Sequence, residues 1–118
     1  RTRTYATTEV KHEGKNTALE IVVPLGPVDA IPLGQGCTYV VDGCPIAVFR
    51  QRDGQLFATQ NACPHRGGPL ADGIIGDGKV ICPLHARQFD LKTGASDDCA
   101  VRTYPVRVEG GEILLTLA

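Results

Sequence analysis

Two short stretches of the chain pair a cysteine with a histidine. The first reads Cys63-Pro64-His65 and the second Cys82-Pro83-Leu84-His85, with sixteen residues between His65 and Cys82. Thiolate and imidazole are the side chains that hold zinc, copper and iron centres. A C-x-H on one loop and a C-x-x-H on another can aim two sulfur and two nitrogen donors at one point. Pro64 and Pro83 stiffen the two loops, because the ring fixes φ, and Gly67-Gly68 lets the backbone approach closely. The chain has five cysteines and three histidines, so two of the three histidines fall in these pairs, which argues against a fortuitous grouping. A cysteine nucleophile activated by His65 or His85 would leave the other pair without a role. Structural zinc accepts the same four donors. Zinc fingers, however, group cysteine with cysteine and histidine with histidine, whereas here the two types alternate.

The rest of the chain must position these loops. Its 118 residues make one domain, 1–118, with room for a single fold. The 42% apolar and 21% charged fractions are those of a soluble globular protein. A net charge of −1 speaks against a nucleic-acid binder, which shows a clustered basic surface. No run approaches the roughly 20 apolar residues that cross a bilayer, so no membrane association is expected. The chain opens on Arg1 rather than methionine, and further residues are expected before it. Five cysteines are an odd number, so complete intrachain pairing is impossible and a reducing, cytoplasmic location is expected. Cys37, Cys44 and Cys99 are then read as small buried hydrophobes.

Fourteen glycines and eight prolines favour turns over helices. Residues 1–17 are polar and read as a tail or an edge segment, with His12 a solvated residue in it. From Leu19 the pattern is that of strands. Asp42-Gly43 between Cys37-Thr38-Tyr39-Val40-Val41 and Cys44-Pro45-Ile46-Ala47-Val48-Phe49-Arg50 predicts a hairpin with Val41 opposite Cys44 and Cys37 opposite Val48. Asp53-Gly54 leads into a further strand from Gln55, and Gly110-Gly111 predicts a last hairpin. The fold class is all-β, antiparallel strands forming a sandwich or small barrel. Residues 61–89 break the rhythm and read as a loop-rich subdomain that holds both Cys–His pairs, with residues 73–78 a turn between the two loops.

Alternation of ligand type suits a two-iron cluster in which two cysteines hold one iron and two histidines the other. Each loop then contributes one ligand to each iron. The stretches Cys63-Pro64-His65-Arg66-Gly67-Gly68-Pro69-Leu70 and Cys82-Pro83-Leu84-His85-Ala86-Arg87-Gln88-Phe89-Asp90 resemble the Rieske [2Fe-2S] domain, a likeness that runs from about Val22 to Leu117. It is nearest to small bacterial Rieske ferredoxins, both the ferredoxin components of ring-hydroxylating dioxygenases and the small subunit of NAD(P)H nitrite reductase. The resemblance implies antiparallel sheets with the cluster loops at one tip. It implies one [2Fe-2S] cluster, Cys63 and Cys82 on the inner iron, and His65 and His85 on the outer, solvent-facing iron.

Departures from the high-potential Rieske branch carry information too. Where that branch has a disulfide bracing the loops, this chain has Gly68 and Leu84. Where it has a serine and a tyrosine donating to sulfur, this chain has Arg87 and Phe89. Fewer donors to sulfur lower the potential, towards roughly −150 mV at the bottom of the Rieske range. With no flavin or nicotinamide motif, the expected role is that of an electron carrier without catalysis of its own. It would accept electrons from an NAD(P)H-dependent reductase and pass them to a terminal oxygenase or reductase. The alternative is the small subunit of an assimilatory nitrite reductase, partnered by its large subunit. Arg66 and Arg87 beside the histidines read as solvated charges or as a means of steering an acidic partner.

Overall fold

The computed structural model describes residues 2–5, 11–12, 19–20, 22–62, 69–83, 87–96 and 99–117. In chain order the elements are β1 (Thr2–Tyr5), β2 (Lys11–His12), β3 (Leu19–Glu20), β4 (Val22–Pro27), the 3-10 turn η1 (Val28–Ala30), β5 (Gln35–Val41), β6 (Cys44–Arg50) and β7 (Leu56–Gln60). The 3-10 turn η2 (Leu70–Asp72), β8 (Ile74–Gly76), β9 (Lys79–Ile81), β10 (Gln88–Asp90), β11 (Thr103–Tyr104), β12 (Val106–Glu109) and β13 (Glu112–Thr116) complete the chain. They form a five-stranded sheet in the order β1-β5-β6-β7-β11, a three-stranded sheet β12-β13-β4, a second three-stranded sheet β10-β9-β8, and the pair β2-β3. No helix of the described residues is long and apolar enough to cross a membrane.

The hairpins form where two turn residues accept positive φ. Asp42 (φ 50°) and Gly43 (φ 78°) join β5 to β6, and Val41 pairs with Cys44 and Cys37 with Val48 in the register the sequence predicts. Gly110 (φ 59°) and Gly111 (φ 82°) join β12 to β13. Two findings depart from expectation. Residues 73–78, read as a turn in a loop-rich stretch, contain a third such hairpin: Asp77 (φ 51°) and Gly78 (φ 73°) join β8 to β9, and β10 pairs with β9. Moreover, the strands are antiparallel throughout except that β1 runs parallel to β5.

Two apolar cores meet at β6. Ile46, Ala47, Val48 and Phe49 are each fully buried, because successive strand residues point to opposite faces and both faces are covered. Ile46 and Val48 join Val23, Leu25, Ile31, Tyr39, Val41, Ala58, Ile113 and Leu115 between the five-stranded sheet and the β4-β13 side. Ala47 and Phe49 join Leu70, Ala71, Val80, Cys82, Phe89, Leu91 and Val101 beneath the β8–β10 sheet. Gly36 on β5 lets this second core close: a Cβ there would sit 2.7 Å from the Phe49 ring and 2.9 Å from the Ala71 carbonyl oxygen.

The three extra cysteines differ among themselves. Cys37 is buried in the first core, and Cys99 is half-buried against the second. Cys44, expected to be buried, is exposed. It occupies the rung next to the turn, and its thiol meets the Tyr104 side chain. Burial, followed by the neighbouring Cys44, holds the Tyr104 phenol above its ordinary pKa. Phe49 is the side chain that fastens the second core to the main sheet. Phe49→Ala should therefore destabilise the fold by about 3–5 kcal/mol, measured by denaturant unfolding.

Candidate metal centre

Each Cys–His loop leaves and rejoins the fold through a closed neck. The first neck forms at the end of β7. The Asn61 N–H donates to the Pro45 carbonyl (3.2 Å), fixing the strand end against β6. The Asn61 carbonyl accepts from the Leu70 N–H (2.8 Å), and its side-chain oxygen accepts from the Ala71 N–H (3.0 Å). Ala62 and Pro69 form a bridge across the neck. Gln60 adds to this from the preceding rung, its Nε2 donating to the Ala62 carbonyl (2.8 Å) while its Oε1 accepts from the Arg102 N–H (2.8 Å). Asn61 is thus one residue holding three backbone partners on two segments, which the loop between them cannot separate without breaking those bonds.

The second neck lies between β9 and β10. Ile81 pairs with Gln88, and the Cys82 N–H donates to the Arg87 carbonyl at 2.8 Å. That bond closes a six-residue loop, 82–87, whose first residue is the cysteine. Beyond the neck, Asp90 organises the return turn: its Oδ1 accepts from the Lys92 N–H (2.8 Å) and the Thr93 N–H (3.1 Å). Those two donors, Thr93 first, hold the Asp90 carboxyl below its ordinary pKa. On the far side, the Gln51 Oε1 accepts from the Gly78 N–H (2.6 Å), and the Leu91 N–H donates to the Gly78 carbonyl (2.8 Å). The β8–β9 turn is therefore tied to the main sheet and to the strand leaving the second loop.

Of the four sequence-predicted ligands, the structure describes Cys82. It is 1% exposed and lies in the second core among Val80, Phe89 and Leu70. Cys63, His65 and His85 lie outside the described residues, as do Arg66, Gly67, Gly68 and Leu84. The structure does bring both necks onto one core, since Leu70 and Ala71 follow the first loop while Cys82 and Phe89 flank the second. A buried thiol at the mouth of one loop, with the other loop closed alongside, suits a soft thiolate donor kept from water. Phe89 is fully buried in that same core and brings no hydroxyl. Arg87, next to a histidine of the motif, is half-buried rather than fully solvated.

Asn61 and Gln51 are the positioning residues that the sequence pattern did not single out. Both act through single side-chain bonds to backbone distant in sequence, and neither sits in a periodic or motif position. Ala71 is 4% exposed, so removing its acceptor strands a buried N–H, at a cost of about 1–3 kcal/mol. Asn61→Ala should lose stability by that amount and shed its metal centre faster in chelator, followed by visible absorption. Asn61→Asp, which keeps the acceptor, should lose less.

Comparison with known proteins adds to this geometry. Residues 22–116 match the family model described as the Rieske-like [2Fe-2S] domain. The anthranilate 1,2-dioxygenase ferredoxin subunit of Burkholderia cepacia is 40% identical over 95 residues, covering 76% of this chain and 86% of that protein. Among solved structures, a protein described as an NADH-dependent nitrite reductase small subunit from Mycobacterium tuberculosis superposes with a TM-score of 0.78 at 28% identity, covering 84% of this chain and 96% of that one. The ferredoxin of carbazole 1,9a-dioxygenase from Nocardioides aromaticivorans IC177 superposes with a TM-score of 0.72 at 34% identity, covering 80% and 95%.

Proposed function

Because the chain belongs to the Rieske-like [2Fe-2S] domain family, we propose that it is the ferredoxin component of an oxygenase system, taking single electrons from an NAD(P)H-dependent reductase and passing them to a terminal oxygenase. It is an electron-transfer protein with one Rieske-type [2Fe-2S] cluster. When bound, the cluster supplies a one-electron couple. We assign Cys63 and Cys82 as ligands of one iron and His65 and His85 of the other. The observation that carries the assignment is the pair of closed necks on one apolar core, each leading into one half of the motif, with Cys82 buried at the mouth of its loop. We place the protein in the cytoplasm, where reduced thiols at Cys37 and Cys44 are the ordinary state.

The chain's own residues do the positioning. Asn61 and Gln60 hold the first loop, the Cys82–Arg87 bond holds the second, and Phe89, Val80 and Leu70 keep water from the Cys82 side. Preorganised ligands of this kind need little rearrangement when the charge of the site changes. A second reading, the small subunit of an assimilatory nitrite reductase, rests on the superposition with the Mycobacterium tuberculosis protein. The two separate on purification. A carrier is isolated alone as a coloured protein, whereas a fixed subunit accompanies a large siroheme-bearing chain.

The test is spectroscopic. Anaerobically purified protein should show a visible band that dithionite bleaches and, once reduced, the rhombic EPR signal of a mixed-ligand two-iron pair. A colourless protein with one zinc per chain would overturn the reading. The potential tests the role of Phe89 separately. A low midpoint of roughly −150 mV is expected, because the Phe89 ring offers sulfur no donor. Phe89→Tyr should raise the midpoint by about 40 mV, the one-electron equivalent of a hydrogen bond of about 1 kcal/mol.

A further inference from the structure

Residues 2–5 lie outside the family-matched segment 22–116, yet β1 adds a strand to the largest sheet. It occupies the outer edge of β5, parallel, with Thr2 against Thr38 and Tyr5 against Val41. A bare strand edge offers a row of N–H and C=O groups to any other chain, and proteins blunt such edges with charge, proline, bulges or shortness. The other edges of the two three-stranded sheets and of the large sheet carry these devices. β11 has two residues and runs into Pro105; β8 has three; β10 has three and ends in Asp90. β4 contains Pro24 and Pro27, and β12 carries Arg107 and Glu109.

β5 has none of them. Its seven residues, Gln35-Gly36-Cys37-Thr38-Tyr39-Val40-Val41, include no charge and no proline, and its register with β6 runs without a bulge. The four rungs richest in β-forming residues, 38–41, are the four that β1 covers. β1 replaces this edge with one of four residues that includes Arg3.

We propose that β1 is a guard strand acting in cis, and that the partner the uncovered edge accepts is the same edge of a second copy of this chain. Around a two-fold axis the two β5 strands would meet antiparallel over residues 38–41, joining the β5-β6-β7-β11 sheets of both copies into one of eight strands. The observations favour this partner because the edge is then matched to itself in length and residue type. Antiparallel pairing is also somewhat more stable per residue than the parallel ladder β1 makes. β1 holds the edge because it is tethered, and a tethered strand acts at an effective concentration in the millimolar range.

The test keeps the full, cluster-loaded chain and disables the guard with Arg3→Pro and Tyr5→Pro together, because in this register the N–H groups of alternate β1 residues, 3 and 5, face β5. In sedimentation equilibrium the double variant should dimerise on the order of a hundredfold more tightly than the unaltered chain, the tethering advantage having been lost. In hydrogen exchange, the amides of Thr38 and Val40, which face β1, should lose protection in dilute solution and regain it as concentration rises, while those of Tyr39 and Val41 face β6 and stay protected. Adding Val40→Lys should return the monomer. A double variant that stays monomeric at every concentration overturns the proposal, as does protection at Thr38 and Val40 that is unchanged. A dimer that survives Val40→Lys also overturns it, because the contact would then lie elsewhere. Exchange across β6 and β7 reports whether the fold is intact; if the double variant unfolds there, Arg3→Pro alone supplies the same readouts.

Discussion

The structure depends on one strand being buried on both faces. β6 sends Ile46 and Val48 into the core between the large sheet and the β4-β13 side, and Ala47 and Phe49 into the core beneath the β8–β10 sheet. Four consecutive fully buried side chains leave no polar face, so β6 is stable only when both neighbouring layers are present. The loop-bearing sheet is therefore no appendage on a finished domain. Its core and the sandwich core share a backbone, and the loss of either exposes apolar surface of the other.

That sharing explains how the ends of the two motif loops can be held to a defined geometry. A loop gains precision from what fixes its ends, and here the ends are fixed twice. Hydrogen bonds close each neck, at Asn61 for the first loop and between Cys82 and Arg87 for the second. The residues just beyond the necks, Leu70 and Ala71 on one side and Phe89 on the other, are then buried against Phe49 and one another. Ligands presented by two such loops keep their separation because the necks share one packed core, and packed cores do not deform continuously.

How much of this the sequence discloses depends on the range of each interaction. The β5–β6 hairpin is legible to the residue, because Asp42-Gly43 admits positive φ at both positions and fixes the register of the strands beside it. The same signal stands at Asp77-Gly78, but β8 and β9 have three residues each, too few for the alternation that identifies a strand, so the stretch reads as loop. The two Cys–His pairs stand out in the sequence because their residue types and spacing are local. Asn61 and Gln51 are not: the first bonds Ala71 across ten residues and the second Gly78 across twenty-seven, and nothing local distinguishes them from surface amides. Cys44 misleads for a related reason, since burial at a strand end depends on what lies over the last rung rather than on the residue itself.

The two kinds of residue around the motif also divide the work between holding and tuning. Asn61 and the Cys82 N–H spend their hydrogen bonds on backbone of the necks, so they fix position. Phe89, buried at the other end of the second loop, adds apolar cover and nothing that donates. A site held by backbone bonds and screened by hydrocarbon stabilises extra negative charge poorly compared with one ringed by hydroxyl donors. Among the described residues, the polar groups at the loop ends are used to build the necks, and Phe89, in the core beside Cys82, is a side chain that can only pack.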